Sequence, residues 1–495
     1  MHPGPARGNY HGAMEWLAAN DYVAAREILQ RGVALIYLIA FSSTLNQFRA
    51  LAGEHGLLPV PELLAGRGPR GPTLFSRIGY SDNKLVAVCA AGIVISATVI
   101  AGLPQAGPPW GPLAAFLALW GLYLSVVNVG QVFYGFGWEM LLLEAGFTVG
   151  LLGSYRVAPP AAILALNVWL LFRLEFGAGM IKWRGDPAWR NLTALYYHHQ
   201  TQPMPGPFSR NAHLAPKWWH RIEAAGNHVA QLLVPFLLFA PQPVASIAAG
   251  VVIATQLWLV ATGNFAWLNA LTIILAGGRL SDPVLHRLLP RLPATGVPAP
   301  AAPPWWDAVV LAGTLLLVVA SLPALRNLFS AHQLMNASFN RWQLGNAYGA
   351  FGTVTRERIE IVIEGTLKAD PDAAGWIEYG FKGKPGDVFR RPRQFAPYHL
   401  RLDWMMWFLP LGSVHQRWFH RLLVRLLEAD APTLDLLDHD PFAGARPRFV
   451  RVLSYRYRFA GKARHRRDGA IWVRDRRRLV IGPVGRDGGG SGGPR

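Results

Sequence analysis

Cysteine and charged residues are both scarce in this chain. Its 495 residues include one cysteine, Cys89, so no disulfide can form within the chain, and thiolate metal clusters and dithiol redox motifs are excluded. Charged residues make up 16% of the chain and hydrophobic residues 52%, a balance that departs from soluble globular proteins. Nucleotide-binding and serine-hydrolase glycine motifs are not found in a suitable strand–turn–helix context.

The chain contains several long apolar runs. They lie at 32–48, 85–103, 113–134, 159–183, 229–249, 250–277 and 306–328, with a shorter run at 141–153. A helix needs about 20 apolar residues to cross a bilayer, and lipid offers no partner for unpaired backbone groups, so spans of this kind are helical. We expect a polytopic α-helical membrane protein with about six to eight transmembrane helices.

The pattern changes after about residue 340, where polar and apolar residues alternate. The alternation occurs in 358–365, 376–383 and 449–459 and is typical of half-buried strands. Residues 403–428 instead repeat apolar residues at helical spacing, which predicts either a helix packed on the sheet or an amphipathic helix in the membrane interface. The sequence therefore predicts a C-terminal extramembrane β-rich domain that contains an amphipathic helix.

These patterns divide the chain into six predicted parts. They are a polar lead-in at 1–30 with an amphipathic surface helix at 21–31, a transmembrane bundle at 31–289 with loops at 52–84 and 184–227, a proline-rich linker at 290–304, a last transmembrane helix at 305–328, the β-rich domain at 340–482, and a disordered tail at 483–495.

The net charge of +19 is compatible with nucleic acid or anionic lipid as a partner. No nucleic-acid-binding motif accompanies the basic clusters at 464–467 and 474–478, so we expect membrane lipid as a partner and no nucleic acid.

Three ionisable residues lie inside the apolar run 159–183: Arg173, Glu175 and Lys182. A charge at the bilayer centre costs at least about 2.5–3.5 kcal/mol, so such residues face the bundle interior, pair together or line a water-filled site. Arg173 and Glu175 point to different faces and should pair with other helices, whereas Glu175 and Lys182 share a face. Gly177 and Gly179 between them allow a close approach by another segment.

Lys182 has two open interpretations, a lysine that snorkels to the membrane edge and a desolvated base. Glu139 and Glu144 form a second polar pair in the neighbouring apolar segment. Their spacing does not suit a preformed carboxylate pair. We expect one to cap the helix that starts near Trp138 and the other to pair with a buried arginine such as Arg173.

Histidines are frequent between 198 and 228, at His198, His199, His213, His220 and His228. None has the i, i+4 spacing of a helical zinc site or the paired clusters of a structural one. We therefore expect neither a bound metal nor a cofactor.

Several long segments resemble the lipase maturation factor family of membrane proteins. They are 46–60, 138–147, 186–209, 262–273, 346–365, 381–408 and 441–459. The loop signature includes Asp186, Trp189, Arg190, His198 and His199. The resemblance implies a factor that assists folding, assembly or export of secreted lipases by binding an immature client, without covalent chemistry. It carries over no catalytic residue.

The family resembles, more distantly, the vitamin K-dependent γ-carboxylase group, in which a lysine at a comparable helix end is the active base. Here the match is limited to Gly179, Lys182 and the segment 186–189. It implies the alternative of a membrane enzyme that acts on a lipid-soluble substrate with Lys182 as base. Family members lie in the endoplasmic reticulum membrane with the C-terminal domain in the lumen. For a bacterial chain we expect the inner membrane and the periplasmic side.

Overall fold

A computed structural model describes residues 18–290 and 302–485. The predicted linker at 290–304 and the predicted tail at 483–495 lie largely outside the described residues. The first helices are α1 (Val23–Ala52), α2 (Val60–Ala65), α3 (Phe75–Ile78), α4 (Asp82–Ile100), α5 (Leu103–Ala106), α6 (Gly111–Val129), α7 (Gly137–Gly150) and α8 (Ala161–Arg184). They are followed by α9 (Pro187–Arg190), α10 (Leu195–Thr201), α11 (Ser209–His213), α12 (Lys217–His228), α13 (Val234–Leu237), α14 (Val244–Thr262), α15 (Leu268–Gly277), α16 (Asp282–Leu288) and α17 (Pro304–Phe329).

Six helices in the described part of the chain are long and apolar enough to cross a membrane: α1, α4, α6, α8, α14 and α17. The chain is therefore an integral multi-pass membrane protein, as its hydropathy predicts. The short run near 141–153 forms α7, which is almost wholly buried among the longer helices. A π-helical turn, Val229–Leu233, joins α12 to α13.

The structure differs from the predicted bundle in three places. Residues 23–31 do not form a separate surface helix; they open α1, and Arg26 and Glu27 are buried there. The run 229–249 is interrupted after α13 by a turn that contains two prolines, which lack the N–H that a helix needs. The run 250–277 is divided between α14 and α15 by the loop 263–267.

The C-terminal domain contains one four-stranded antiparallel sheet in the order β2-β1-β3-β4. Its strands are β1 (Arg358–Thr366), β2 (Ile377–Glu378), β3 (Phe449–Phe459) and β4 (Trp472–Gly485), and its helices are α18 (Arg401–Met406), α19 (Arg417–Leu427), α20 (Ala431–Leu434) and α21 (Lys462–Asp468). The predicted β-rich domain is thus present, with a β2 shorter than the alternation in 376–383 suggested. Burial in β3 alternates along the strand but changes phase at Val452 and Leu453. Val450 and Val452 therefore pack in the core shared with the helices, whereas Leu453, Tyr455, Tyr457 and Phe459 pack in a second cluster with Trp472.

The amphipathic helix predicted over 403–428 is divided into α18 and α19. A 3-10 turn at Leu409–Leu411 separates them, and Gly412 follows at φ 108°, a conformation that favours glycine. α19 buries Trp418, Phe419 and the leucines on one face inside the protein, so it packs as part of the domain.

The domain sits directly on one end of the bundle. Gln47 of α1 donates to the backbone oxygen of His399 at 2.7 Å, and Asn264, after α14, accepts from the backbone N–H of Phe395 at 2.7 Å. Gly177 of α8 lies so close to the backbone oxygen of Tyr348 that a Cβ there would be 2.6 Å away. Bundle and domain therefore share one continuous core.

Candidate functional site

Arg173 of α8 lies against Glu144 of α7, and both side chains are almost fully buried. The segment that leads into the C-terminal domain completes the contact. The backbone N–H of Asn346 donates to Glu144 Oε2 at 3.0 Å, Tyr348 Oη donates to the same atom at 2.8 Å, and Arg173 donates to the backbone oxygen of Asn346 at 2.6 Å. These hydrogen bonds hold residues 346–348 against α8.

Glu139 pairs with an arginine that the sequence did not single out. Arg401, on α18, donates from Nη1 to Glu139 Oε1 at 2.6 Å, and neither side chain has measurable solvent exposure. Arg401 also donates to the backbone oxygen of Phe133 at 2.8 Å and lies 3.5 Å from the ring centre of Tyr134. Glu139 therefore anchors the C-terminal domain and does not cap α7.

A cavity of about 950 Å³ opens between the membrane helices and the C-terminal domain. Its volume is near the upper end of ligand pockets, which measure roughly 300–1,000 Å³. Most of its wall is apolar, and aromatic rings from both parts of the protein contribute: Phe136, Trp138, Phe351, Trp404, Trp407 and Phe408. Arg173, Glu144, Glu139 and Arg401 do not line it.

Lys182 lies in the wall of this cavity and is 6% exposed. Its ammonium group donates to Asn227 Oδ1 at 3.0 Å and to Gln231 Oε1 at 2.8 Å, and it lies 4.9 Å from the ring centre of Trp189. An ammonium group has three donors, and these contacts use two of them on neutral acceptors. Lys182 is thus held inside the protein by neutral side chains.

Glu175 lines the same cavity. It lies on the same face of α8 as Lys182, two turns earlier in the helix. It accepts from Gln231 Nε2 at 3.1 Å and from Gln256 Nε2 at 2.6 Å. Gln256 in turn accepts from Asn269 Nδ2 at 2.6 Å. Gln231 thus stands between the lysine and the carboxylate, and a continuous row of hydrogen bonds crosses an otherwise apolar wall.

The start of the loop signature stabilises the turn after α8. Asp186 accepts from the backbone N–H of Ala188 at 2.9 Å and from Arg356 at 2.8 Å. Burial raises the pKa of Asp186, but the hydrogen bonds from Arg356 and from the backbone N–H groups outweigh it and hold that pKa below its ordinary value. Trp189 donates to the backbone oxygen of Phe351 at 2.8 Å, so this turn is joined to the segment before the domain.

Of the remaining residues of the loop signature, Arg190 lies at the surface and His198 lies in the cavity wall. Arg190 is exposed and donates to the backbone oxygen of Trp183 at 3.0 Å. His198 lies in the cavity wall with its ring against Phe351, and burial, with the neighbouring His199, lowers the pKa of His198 to about 3.

His199, on α10, meets two residues of α12 that the sequence did not connect with it. Its Nε2 lies 3.2 Å from Glu223 Oε1, and His220 Nδ1 lies 4.0 Å from Glu223 Oε2. One ligand atom from each residue lies within 4.8 Å of the others. Burial and the neighbouring His199 hold the pKa of His220 below its ordinary value. The sequence feature that indicates this cluster is the i, i+3 spacing of His220 and Glu223, because it places both residues on one helix face.

Known proteins resemble the chain over nearly its whole length. The model of the lipase maturation factor transmembrane domain matches residues 24–287, and that of the lipase maturation factor C-terminal domain matches residues 344–482. Lipase maturation factor 1 of Homo sapiens is 37% identical over 96% of this chain and 90% of its own length. Lipase maturation factor 2 of Homo sapiens is 28% identical, over 88% and 79%. No solved structure matches.

Proposed function

The chain belongs to the lipase maturation factor family, and on this premise we propose that it is a membrane-embedded factor that helps secreted lipases, or similar clients, to fold or be exported. It acts by binding the immature client and not by modifying it. The observation that carries the proposal is the buried attachment of the C-terminal domain to the bundle through Arg401 and Glu139. This attachment holds a client-binding surface at a fixed position beside the membrane.

The loop 184–227 and the domain form one surface outside the spanning helices. Arg358 of β1 donates to the backbone oxygens of Gln200 at 2.9 Å and Pro203 at 2.9 Å. Arg358 also donates to the backbone oxygen of Gln202 and pairs with Glu360 at 2.6 Å, and Glu360 in turn pairs with Lys384 at 3.0 Å. Since these groups are buried, the loop cannot move independently of the sheet without exposing unpaired charges.

The outer edge of β4 is the part of this surface best suited to an incompletely folded client. Among the described strands, β4 pairs with β3 alone. Its start is covered, because the N–H of Trp472 donates to the backbone oxygen of Val388 at 2.9 Å, but the other edge has no strand partner around Leu479 and Val480. Leu479 is 54% exposed and Val480 36%, and an edge strand of this kind accepts an extended segment through main-chain hydrogen bonds. We propose that a segment of the client adds to this edge.

Lipase secretion provides the test, in cells that lack their own maturation factor. Co-expression of the chain with a secreted lipase is expected to raise lipase activity per unit of lipase protein in the medium. Leu479→Asp with Val480→Asp should lower that ratio, because two carboxylates on the edge disfavour an added strand. Leu367→Asp is the matched control, since Leu367 is 51% exposed in the same domain. Secreted lipase activity that does not depend on the chain would refute the proposal.

Removing residues 340–485 would be a poor substitute for these point variants. The truncation takes away Arg401, the partner of Glu139, and Asn346 and Tyr348, which saturate Glu144. A buried carboxylate without its partner is strongly destabilising, so lost function would then report a damaged bundle.

We place the chain in a bacterial inner membrane with the C-terminal domain on the periplasmic side. The resemblance to a family that keeps this domain in a secretory lumen supports this orientation, because secreted clients fold there. Fusions after residue 485 test it: alkaline phosphatase should be active and green fluorescent protein dark. The reverse pattern would place the domain in the cytoplasm and would remove its access to exported clients.

The cavity supports a second candidate function, the binding of a membrane lipid. Its wall combines apolar and aromatic surface with one buried ammonium, Lys182, which has no carboxylate among its hydrogen-bond partners. A lipid with an anionic head group satisfies both features. The alternative of an enzyme with Lys182 as base would act on a substrate in the same cavity.

The amount of lipid that the purified protein retains tests whether Lys182 holds a lipid in the cavity. Lys182→Met is expected to release the bound lipid, Lys182→Arg to keep part of it, and the exposed Lys368→Met to change nothing. If Lys182→Met lowers lipid content but leaves lipase secretion intact, lipid binding is separate from maturation. Equal lipid content in all variants would refute the role of Lys182.

A further inference from the structure

Three residues of the loop between α8 and α14 converge on one point beside the cavity. His199 extends from α10, while His220 and Glu223 extend from one face of α12, one turn apart. The side chains of the two histidines are 2% and 3% exposed, and that of Glu223 is 14% exposed. From this arrangement we propose that His199, His220 and Glu223 bind a divalent transition-metal ion of the zinc class.

The distances suit a metal with three protein ligands. Glu223 oxygens lie 3.2 Å from His199 Nε2 and 4.0 Å from His220 Nδ1, and all three ligand atoms fit within 4.8 Å. Zinc bonds to nitrogen and oxygen of about 2.0–2.2 Å in a tetrahedron separate neighbouring ligand atoms by roughly 3.4 Å. Small side-chain rotations therefore bring the three atoms to bonding distance. Two nitrogen ligands disfavour calcium and magnesium, which prefer oxygen.

The hydrogen-bond partners of His220 leave a place for a cation. Its Nε2 lies 3.3 Å from the backbone oxygen of His213, and an oxygen acceptor assigns the ring proton to this nitrogen. Nδ1 then carries a lone pair, has no hydrogen-bond partner, and faces Glu223 Oε2. Two acceptors that face each other at 4.0 Å without a proton between them are unfavourable. A metal ion between them removes this cost.

The surrounding contacts resemble the outer shell of a metal site. A ligating histidine generally donates its second N–H to a carbonyl or carboxylate, and ligating carboxylates are themselves hydrogen-bonded. His220 meets the first condition through His213. Glu223 meets the second, because Trp258 of α14 donates to its Oε1 at 2.6 Å.

The site also has an open side. His199, Glu223 and Trp258 line the cavity, so an ion held by the three ligands borders the same space as Lys182. Sites with three protein ligands keep a fourth position for water or a ligand. The ion would thus present that position to an anionic or polar group in the cavity, whatever the client of the protein is.

Metal content of the full-length protein in detergent tests the proposal, after removal of any histidine tag. After treatment with EDTA and reloading with Co²⁺ or Zn²⁺, elemental analysis is expected to find about one ion per chain, held by a three-ligand site. Glu223→Gln and His220→Asn should each weaken binding at least about tenfold, as removal of site groups typically does. His228→Gln is the matched control, because His228 lies on the same helix as His220 but is outside the three ligands and contacts the backbone oxygen of Trp189; this variant should bind the ion normally.

His220→Cys separates ligation from folding. A thiolate also binds Zn²⁺ and Co²⁺, and Cys89 is buried in α4, so any thiolate-to-cobalt charge-transfer absorption in this variant must come from position 220. We expect that band in His220→Cys and its absence in the parent. The proposal is overturned if the parent binds no ion, if Glu223→Gln binds as tightly as the parent, or if His220→Cys binds cobalt without the band.

Discussion

Breaking the contact between Arg401 and Glu139 should be among the most destabilising single changes in the protein. The two side chains are fully buried, and their nearest atoms are 2.6 Å apart. Two side chains donate to the Glu139 carboxylate, Arg401 and Tyr123. In Arg401→Met the hydroxyl of Tyr123 is the donor that remains. Removal of one partner from a buried ion pair costs about 3–5 kcal/mol, because the remaining charge stays desolvated and unpaired.

Removing both charges together should cost less than removing either one alone. Glu139→Leu alone leaves a buried guanidinium without a carboxylate partner; its remaining contacts are the backbone oxygen of Phe133, the hydroxyl of Tyr123 and the rings of Tyr134 and Trp267. The double variant Arg401→Met/Glu139→Leu removes both charges, and replacing a buried pair by apolar side chains is often neutral. We therefore expect the double variant to be more stable than either single variant.

Equilibrium unfolding of the purified protein in mixed micelles, followed by tryptophan fluorescence, measures these free energies as a double-mutant cycle. Arg417→Met is the control, because Arg417 and Glu62 also join the domain to the bundle side at 2.6 Å but are 65% and 44% exposed. An exposed pair contributes about 0–1 kcal/mol. The reasoning is refuted if Arg401→Met costs no more than Arg417→Met, or if the double variant is the least stable of the set.

Two further predictions concern α8 and the turn that follows it. Gly177→Ala should lower the free energy of unfolding by about 1–3 kcal/mol, because the new Cβ would lie 2.6 Å from the backbone oxygen of Tyr348. Gly121→Ala is the control and should not lower it, because a Cβ there would have nothing within 4 Å. Equal effects of the two variants in denaturation curves would contradict the close packing at Gly177. The pKa of Asp186 is lowered in the folded protein, so its contribution to stability is present above the unfolded pKa of about 4 and is lost as pH falls through the folded value. The destabilisation by Asp186→Asn should therefore be largest near neutral pH and shrink below about pH 4 in denaturation curves; a constant difference would refute the contribution of the charge.

Part of the candidate site could be predicted because it depends on spacing along one helix. Glu175 and Lys182 are two turns apart, so their shared face follows from helix geometry, and both line the cavity. The partners Asn227, Gln231 and Gln256 come from other helices. They carry no charge that would have drawn attention to them.

Contacts between residues that are far apart in the chain could not be predicted from the sequence. His199 and Glu223 are separated by 24 positions and Glu139 and Arg401 by 262. No periodicity connects such residues, because their contact depends on how α10 packs on α12 and how the domain sits on the bundle. The expectation of no metal rested on local spacing alone, and local spacing cannot report a site shared between helices.

Hydropathy and alternation along the chain are enough to predict the class of the protein and most of its elements. Apolar length sets the spanning helices, because lipid offers no partner for unpaired backbone groups, and alternation sets β1 and β3, because successive strand side chains face opposite sides. The pairing of the charges, the residues that line the cavity and the contact of two histidines with a glutamate are visible only in the folded protein. Those outcomes depend on side chains brought together by packing, and packing between distant segments leaves no periodic trace in the sequence.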